Sequence, residues 1–148
     1  MLGLFVHANT SRQASTETLV QRVIDGDTIE LGDGRLVRYI GVDAPEARRK
    51  VGERWIVDPE PFSRDATEAN RQLVEGKAVR LEYDVQTHDR YGRWLAYVYV
   101  GERMVNEELL VSGYAQVMTI PPNVRYAQRF RAAAKAARSA RRGLWSGD

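Results

Sequence analysis

The 148-residue chain contains no cysteine, which excludes disulfides, zinc–thiolate centres and a thiol nucleophile. No run approaches the roughly 20 apolar residues that a membrane-spanning helix needs. The opening "MLGLFVHANTSRQAS" has an apolar run of only about six residues, with no basic residue before it. That is short of the core of a signal peptide, so residues 1–17 are expected to be a flexible segment or a signal remnant. Residues 18–148 are expected to be one folded domain without internal repeats. What remains is ordinary in bulk: 43% apolar and 28% charged residues, enough for a soluble domain with a real core.

The net charge of +2 hides an uneven distribution. Between Asn123 and Arg142 lie seven basic residues and no acid, which leaves 15 basic residues against 20 acids elsewhere, a net −5. A basic flank beside an acidic body suits a polyanionic partner held near a cation site. A solvated helix face accounts for the same charges.

The chain reads as five strands with helices placed among them. "TLVQRVI" (18–24) and "TIEL" (28–31) flank an Asp-Gly-Asp turn, and Asp33-Gly34 signals a hairpin into a third strand over 36–42. Residues 47–61 lack a period and carry Gly52, Pro59 and Pro61, so a long surface loop is expected. Phe62, Ala66, Ala69 and Leu73 recur at helical spacing, giving a helix over about 61–75. "AVRLEYDV" alternates as a strand, "THDRYGR" turns, and "WLAYVYV" is the fifth strand. A short helix in "MVNEELLVSG" and a last helix over 123–142 complete the pattern. The expected fold is α+β, a five-stranded OB-fold β-barrel with about three α-helices, a type that commonly binds nucleic acid.

Acids cluster within residues 25–46. If the second and third strands pair through the Asp33-Gly34 turn, Asp27 and Asp43 become neighbours. Carboxylates forced together repel and raise each other's pKa unless a cation lies between them. An oxygen-only donor set selects a hard ion, Ca²⁺ or Mg²⁺. The run is not an EF-hand, because Glu30 stands where that loop requires glycine. Capped turns with solvated acids explain each Asp taken singly. Arg38 weighs against that view, because an arginine in an apolar strand is expensive to bury without a partner. A second arginine, Arg93, sits on the turn before the fifth strand, where its position alone favours a surface turn residue. Two arginines facing a cation site suit a phosphate, and Glu46 is left to orient or deprotonate water.

Taken in order, "VIDGDT", "VRYIGVDAPE", "DRYGRWLAYVYV", "MVNEELL" and "GLWS" resemble the thermonuclease (staphylococcal or micrococcal nuclease) family, over about residues 18–146. Each fragment is weak alone; five in order are specific. The resemblance implies a Ca²⁺ site with Asp27 and Asp43 as carboxylate ligands and the Ala44 carbonyl as a third. It implies Arg38 and Arg93 as the phosphate-binding arginines, Glu46 at the attacking water, Asp25 in the shell around the ligands, and Tyr91 as a substrate contact. The implied reaction is hydrolysis of DNA and RNA, single strands favoured, leaving 3′-phosphate ends. A monomer, secreted or periplasmic, is expected on the same basis.

Two departures stand out. Ala44 replaces the family's usual threonine, and the tyrosines expected near "TIPPN" give way to Thr119, Ile120 and Pro121. Because stacking contributes about 1–3 kcal/mol per base, the second change bears on affinity rather than chemistry. His88 reads as a polar turn residue, and Trp94, Tyr97 and Tyr99 as packing residues. Trp55 is placed against nucleic acid or the barrel, and Trp145 against the body. A non-catalytic nucleic-acid-binding module is the rival reading. It would be free to lose Asp27, Arg38, Asp43, Glu46 or Arg93, and none is lost. A Ca²⁺-stabilised structural domain leaves both arginines without a role.

Overall fold

The computed structural model describes residues 17–46, 48–57 and 60–147; the expected N-terminal segment lies outside them. Strands β1 (Glu17–Asp25), β2 (Thr28–Leu31) and β3 (Leu36–Tyr39) form a meander, with β7 (Ala78–Glu82) and β8 (Trp94–Val100) later in the chain. The sheet runs β3-β2-β1-β7-β8 and closes through a parallel β3–β8 pairing, Val37 beside Trp94 and Tyr39 beside Ala96. This is a closed five-stranded barrel, and closure leaves those strands no free edge. β1 serves both halves: Glu17–Leu19 pair with β7, the remainder with β2. Two register irregularities at Val20/Arg22 and Val23/Asp25 bend it between the two partners.

The barrel interior holds the residues that alternate inward, among them Ile29, Leu31, Val37, Tyr39, Val79, Ala96 and Val98. Three helices cover the barrel: α1 (Ser63–Val74), α2 (Val105–Val111) and α3 (Ala127–Ser139). α2 follows the short strand β9 (Arg103–Met104) and is pinned by buried Asn106. Its side chain accepts the Val98 N–H and donates to the Ile40 carbonyl, 2.9 and 2.8 Å. Leaving such a group unpaired costs about 1–3 kcal/mol, so Asn106 fixes where α2 docks. A 3₁₀ turn, Gly143–Ser146, follows α3, and there the Arg138 guanidinium lies 5.5 Å from the Trp145 ring.

Three expectations are corrected. The third strand does not run unbroken from 36 to 42. It stops at Tyr39, and β4 (Gly41–Asp43) resumes against β10 (Gln116–Met118) instead. Gly41 makes the break, with φ +82°, and a Cβ there would sit 2.5 Å from the Phe130 ring. Residues 47–61 are not a structureless loop: β5 (Arg48–Val51) and β6 (Arg54–Val57) pair antiparallel around Gly52. The Trp55 side chain lies outside what is described. Finally, Phe62 is not part of the buried helical stripe. It precedes α1 in a left-handed conformation and is 43% exposed, while Ser63, Ala66, Asn70 and Val74 face inward.

Candidate active site

The β1–β2 turn presents the first acid. Asp27 is 1% exposed; its Oδ1 accepts the Thr28 hydroxyl at 3.0 Å and its Oδ2 the Ala44 N–H at 2.9 Å. The Asp25 carboxylate accepts the Asp27 N–H at 3.1 Å, closing the turn on itself. Gly26 between them has no room for a side chain, because a Cβ would fall 2.6 Å from Ala44 Cβ and 2.9 Å from Ala66 Cβ. The turn is therefore wedged between α1 and the end of β4.

Pairing of β2 with β3 sets Thr28 opposite Arg38, which brings the arginine alongside this turn. Arg38 Nη1 donates to the carbonyls of Tyr39 and Val42, both at 2.7 Å. Its Nη2 then faces two carboxylates, Asp43 Oδ1 at 3.3 Å and Asp27 Oδ2 at 3.5 Å. The side chain is only 13% exposed, so these contacts hold a mostly desolvated cation. Glu46 is half-buried near the same group, and its carbonyl accepts the Glu60 N–H at 2.9 Å.

The electrostatics show a deficit of positive charge. Burial, then the charge of Asp27, pushes Asp25 up to about 7. The same two causes raise Asp43, and Glu46 rises through burial and the charges of Asp27 and Asp43. Arg38 opposes each rise without cancelling it. Acids held like this favour a further cation.

The second arginine comes from the segment before β8. Asp89 organises it, accepting the N–H groups of Tyr91 and Arg93 at 2.9 and 3.0 Å. Asp89 also binds the Arg93 guanidinium, Nε to Oδ2, at 2.7 Å. Tyr91 is exposed, with the Arg93 guanidinium 5.7 Å and that of Arg90 5.0 Å from its ring centre. Arg38, Asp89, Tyr91, Arg93, Met118 and Ile120 line one open cleft of about 350 Å³. His88 lies nearby, its ring 4.1 Å from that of Trp94. Tyr97 is buried, and Tyr99 donates to Glu82 at 2.9 Å.

The structure thus brings Asp27, Arg38 and Asp43 into direct contact, sets the Ala44 backbone beside them, and places Arg93 and Tyr91 on the same cleft as Arg38. The donor set fits a hard cation in kind, because the donors are oxygens, and the contact that Asp27 Oδ2 and Asp43 Oδ1 share is Arg38 Nη2. It is not a self-sufficient cage, since among the described residues no group of three or more His, Cys, Asp or Glu converges on one point. Such an ion would keep several waters.

Two contributors escape a reading of the sequence. Asp89 signals itself only through its i,i+4 spacing to Arg93. Asn70 carries no signal, being one polar residue among several on a helix.

The family described as staphylococcal nuclease homologue matches residues 36–147. The thermonuclease of Staphylococcus hyicus is 37% identical over 147 residues, 97% of this chain and 84% of its own length. The thermonuclease of Staphylococcus intermedius is 38% identical over 130 residues, covering 86% of this chain and 74% of its own. Endonuclease YncB of Bacillus subtilis (strain 168) is 37% identical over 145 residues, 95% of this chain and 66% of its own. By sequence and barrel, the chain belongs to the staphylococcal nuclease family.

Proposed function

We propose that the protein is a Ca²⁺-dependent nuclease that hydrolyses phosphodiester bonds of DNA and RNA, single strands favoured, and leaves 3′-phosphate ends. The observation that carries the reading is Arg38, a nearly buried guanidinium facing Asp27 and Asp43 at the end of a cleft that also holds Arg93. The nuclease names of the relatives support it.

Asp27, Asp43 and the Ala44 carbonyl would hold the ion, with Asp25 shaping the turn behind them. When bound, the ion supplies a Lewis acid at a phosphate oxygen. Arg38 and Arg93 donate to the non-bridging oxygens, where negative charge grows as phosphorus becomes five-coordinate. Glu46 holds the attacking water and accepts its proton, assisted by an environment that already raises its proton affinity. The bond from phosphorus to the 5′ oxygen breaks, the 5′ oxygen leaves as a hydroxyl with a proton taken from solvent, and the phosphate stays on the 3′ side. Tyr91 rests against the substrate beside Arg93. Arg38 Nη1 does not join in, because two carbonyls occupy it, and this leaves Nη2 aimed.

Digestion of single-stranded DNA in Ca²⁺, in chelator and in Mg²⁺, with end-group analysis, tests the proposal. Cleavage that needs Ca²⁺ and leaves 3′-phosphates is expected. Equal cleavage in chelator removes the metal assignment, and 5′-phosphate products remove the proposed bond.

A further inference from the structure

Asn70 is the one asparagine on α1, and it is fully buried on the face turned towards the barrel. A buried primary amide is expensive unless its hydrogen bonds are made. Here they are made in a particular direction. Asn70 Nδ2 donates to the Asp25 carbonyl at 2.8 Å, and Asn70 Oδ1 accepts the Tyr39 hydroxyl at 2.7 Å. Tyr39 is itself 1% exposed, and its backbone N–H donates to the Asp27 carbonyl at 2.9 Å. Its own carbonyl accepts from Arg38 Nη1.

These contacts form a closed ring. The Asp25–Gly26–Asp27 turn offers two outward carbonyls; Asn70 takes one and Tyr39 takes the other, and the two side chains are bonded to each other. The same Tyr39 carries Arg38 on its carbonyl. One pair of residues thus sets the Asp27 carboxylate and the Arg38 guanidinium relative to each other, although neither side chain of the pair hydrogen-bonds a carboxylate of the site. Ala66, one helical turn before Asn70, reinforces the grip by filling the space against Gly26.

We infer that Asn70 and Tyr39 are positioning residues for the cation and phosphate site, so that α1, packed outside the barrel, aims Asp27 at the point it shares with Arg38 and Asp43. The inference rests on the nuclease reading above. A merely structural Asn70 would lower stability alone. A positioning Asn70 alters how tightly the site takes its ion and how fast the chemistry runs, and leaves the strand's own contacts in the cleft unchanged. Partners behind metal ligands typically change affinity or activity by about 10- to 100-fold when removed.

Three variants in the full chain separate these roles: Asn70→Ala, Tyr39→Phe and, as a packing control, Val74→Ala, fully buried one turn further along α1. The readouts are melting temperature, Ca²⁺ affinity by calorimetry without substrate, and kcat and KM on a short single-stranded oligonucleotide. Asn70→Ala and Tyr39→Phe are expected to weaken Ca²⁺ binding and lower kcat about tenfold or more, with KM within about twofold. Val74→Ala is expected to lower the melting temperature and leave the other readouts unchanged. Tyr39→Phe removes a single hydroxyl, so it remains informative if Asn70→Ala does not fold. Wild-type Ca²⁺ affinity and kcat in Tyr39→Phe and in any folded Asn70→Ala, or the same losses in Val74→Ala, would overturn the inference while the nuclease reading stands. A wild-type chain that neither binds Ca²⁺ nor cleaves removes both.

Discussion

Arg38 and Arg93 face the same cleft from opposite kinds of surroundings. Arg38 springs from a barrel strand, is 13% exposed, and is held by two carbonyls and two carboxylates from β1–β2 and β4. Arg93 springs from a turn, is 29% exposed, and has one acidic partner, Asp89, four residues away. The first is built into the fold and cannot leave without stranding Asp27. The second is held by a half-buried ion pair to one neighbour in its own turn, Nε to Oδ2 at 2.7 Å, which a phosphate can take over. One half of the site is preorganised for a cation, and the other is free to adjust to the strand.

Removing each arginine breaks this contrast in different ways. Arg38→Ala is expected to lower turnover by about 10²–10³-fold, as loss of a donor to developing charge does. It should also lower stability by about 3–5 kcal/mol in the absence of Ca²⁺, because Asp27 loses its cation. Arg93→Ala should slow turnover comparably while denaturant unfolding shifts by no more than about 1 kcal/mol. Equal stability loss in the two would show that the halves are not built differently.

Asp89→Asn sharpens the contrast. Asparagine keeps an oxygen for the Tyr91 and Arg93 N–H groups, so the turn survives while the ion pair weakens. KM for a short oligonucleotide is expected to fall by up to about fivefold, the worth of such a pair. A rise in KM would mean that Asp89 presents Arg93 rather than competing for it.

The smallest expected effect concerns how the segment that carries Arg93 is anchored. Burial alone would raise the Asp84 carboxyl, but hydrogen bonds from the Tyr97 hydroxyl and the N–H groups of Arg125 and Val85 hold it below its ordinary 3.8. A depressed folded pKa means stability that is present above the ordinary value and lost as pH falls from there through the lowered folded value. Melting temperature followed below about pH 4 should therefore drop more steeply in the wild type than in Asp84→Asn. Parallel curves would remove Asp84 as an acid-sensitive anchor.

These two halves were unequally legible. Alternation in β1, β2, β7 and β8 and the Asp33-Gly34 turn made the barrel readable, because strand periodicity and hairpin chemistry are local. That hairpin accounts for Arg38 lying alongside Asp27, whereas Asp43 arrives on β4, beyond the break at Gly41. The break at Gly41 was hidden, since "LVRYIGV" looks like one strand and the reason to stop is Phe130, 89 positions on. The β5–β6 hairpin was missed because its short strands carry mixed charges rather than clean alternation. The inner face of α1 is obscured in the sequence because Phe62 falls at helical spacing with Ala66, and Asn70 is polar. Its hydrogen-bond partners, at Asp25 and Tyr39, belong to other elements. Local pattern shows elements; contacts between distant elements, which aim the site, leave little trace in it.

The division of labour is tested most directly by Ca²⁺ calorimetry on the wild type, Asp27→Asn and Arg93→Ala, without nucleic acid. Asp27→Asn is expected to bind Ca²⁺ at least about tenfold more weakly, and Arg93→Ala as the wild type does. Wild-type affinity in Asp27→Asn, or its loss in Arg93→Ala, would contradict the assignment of the cation to the barrel half of the site.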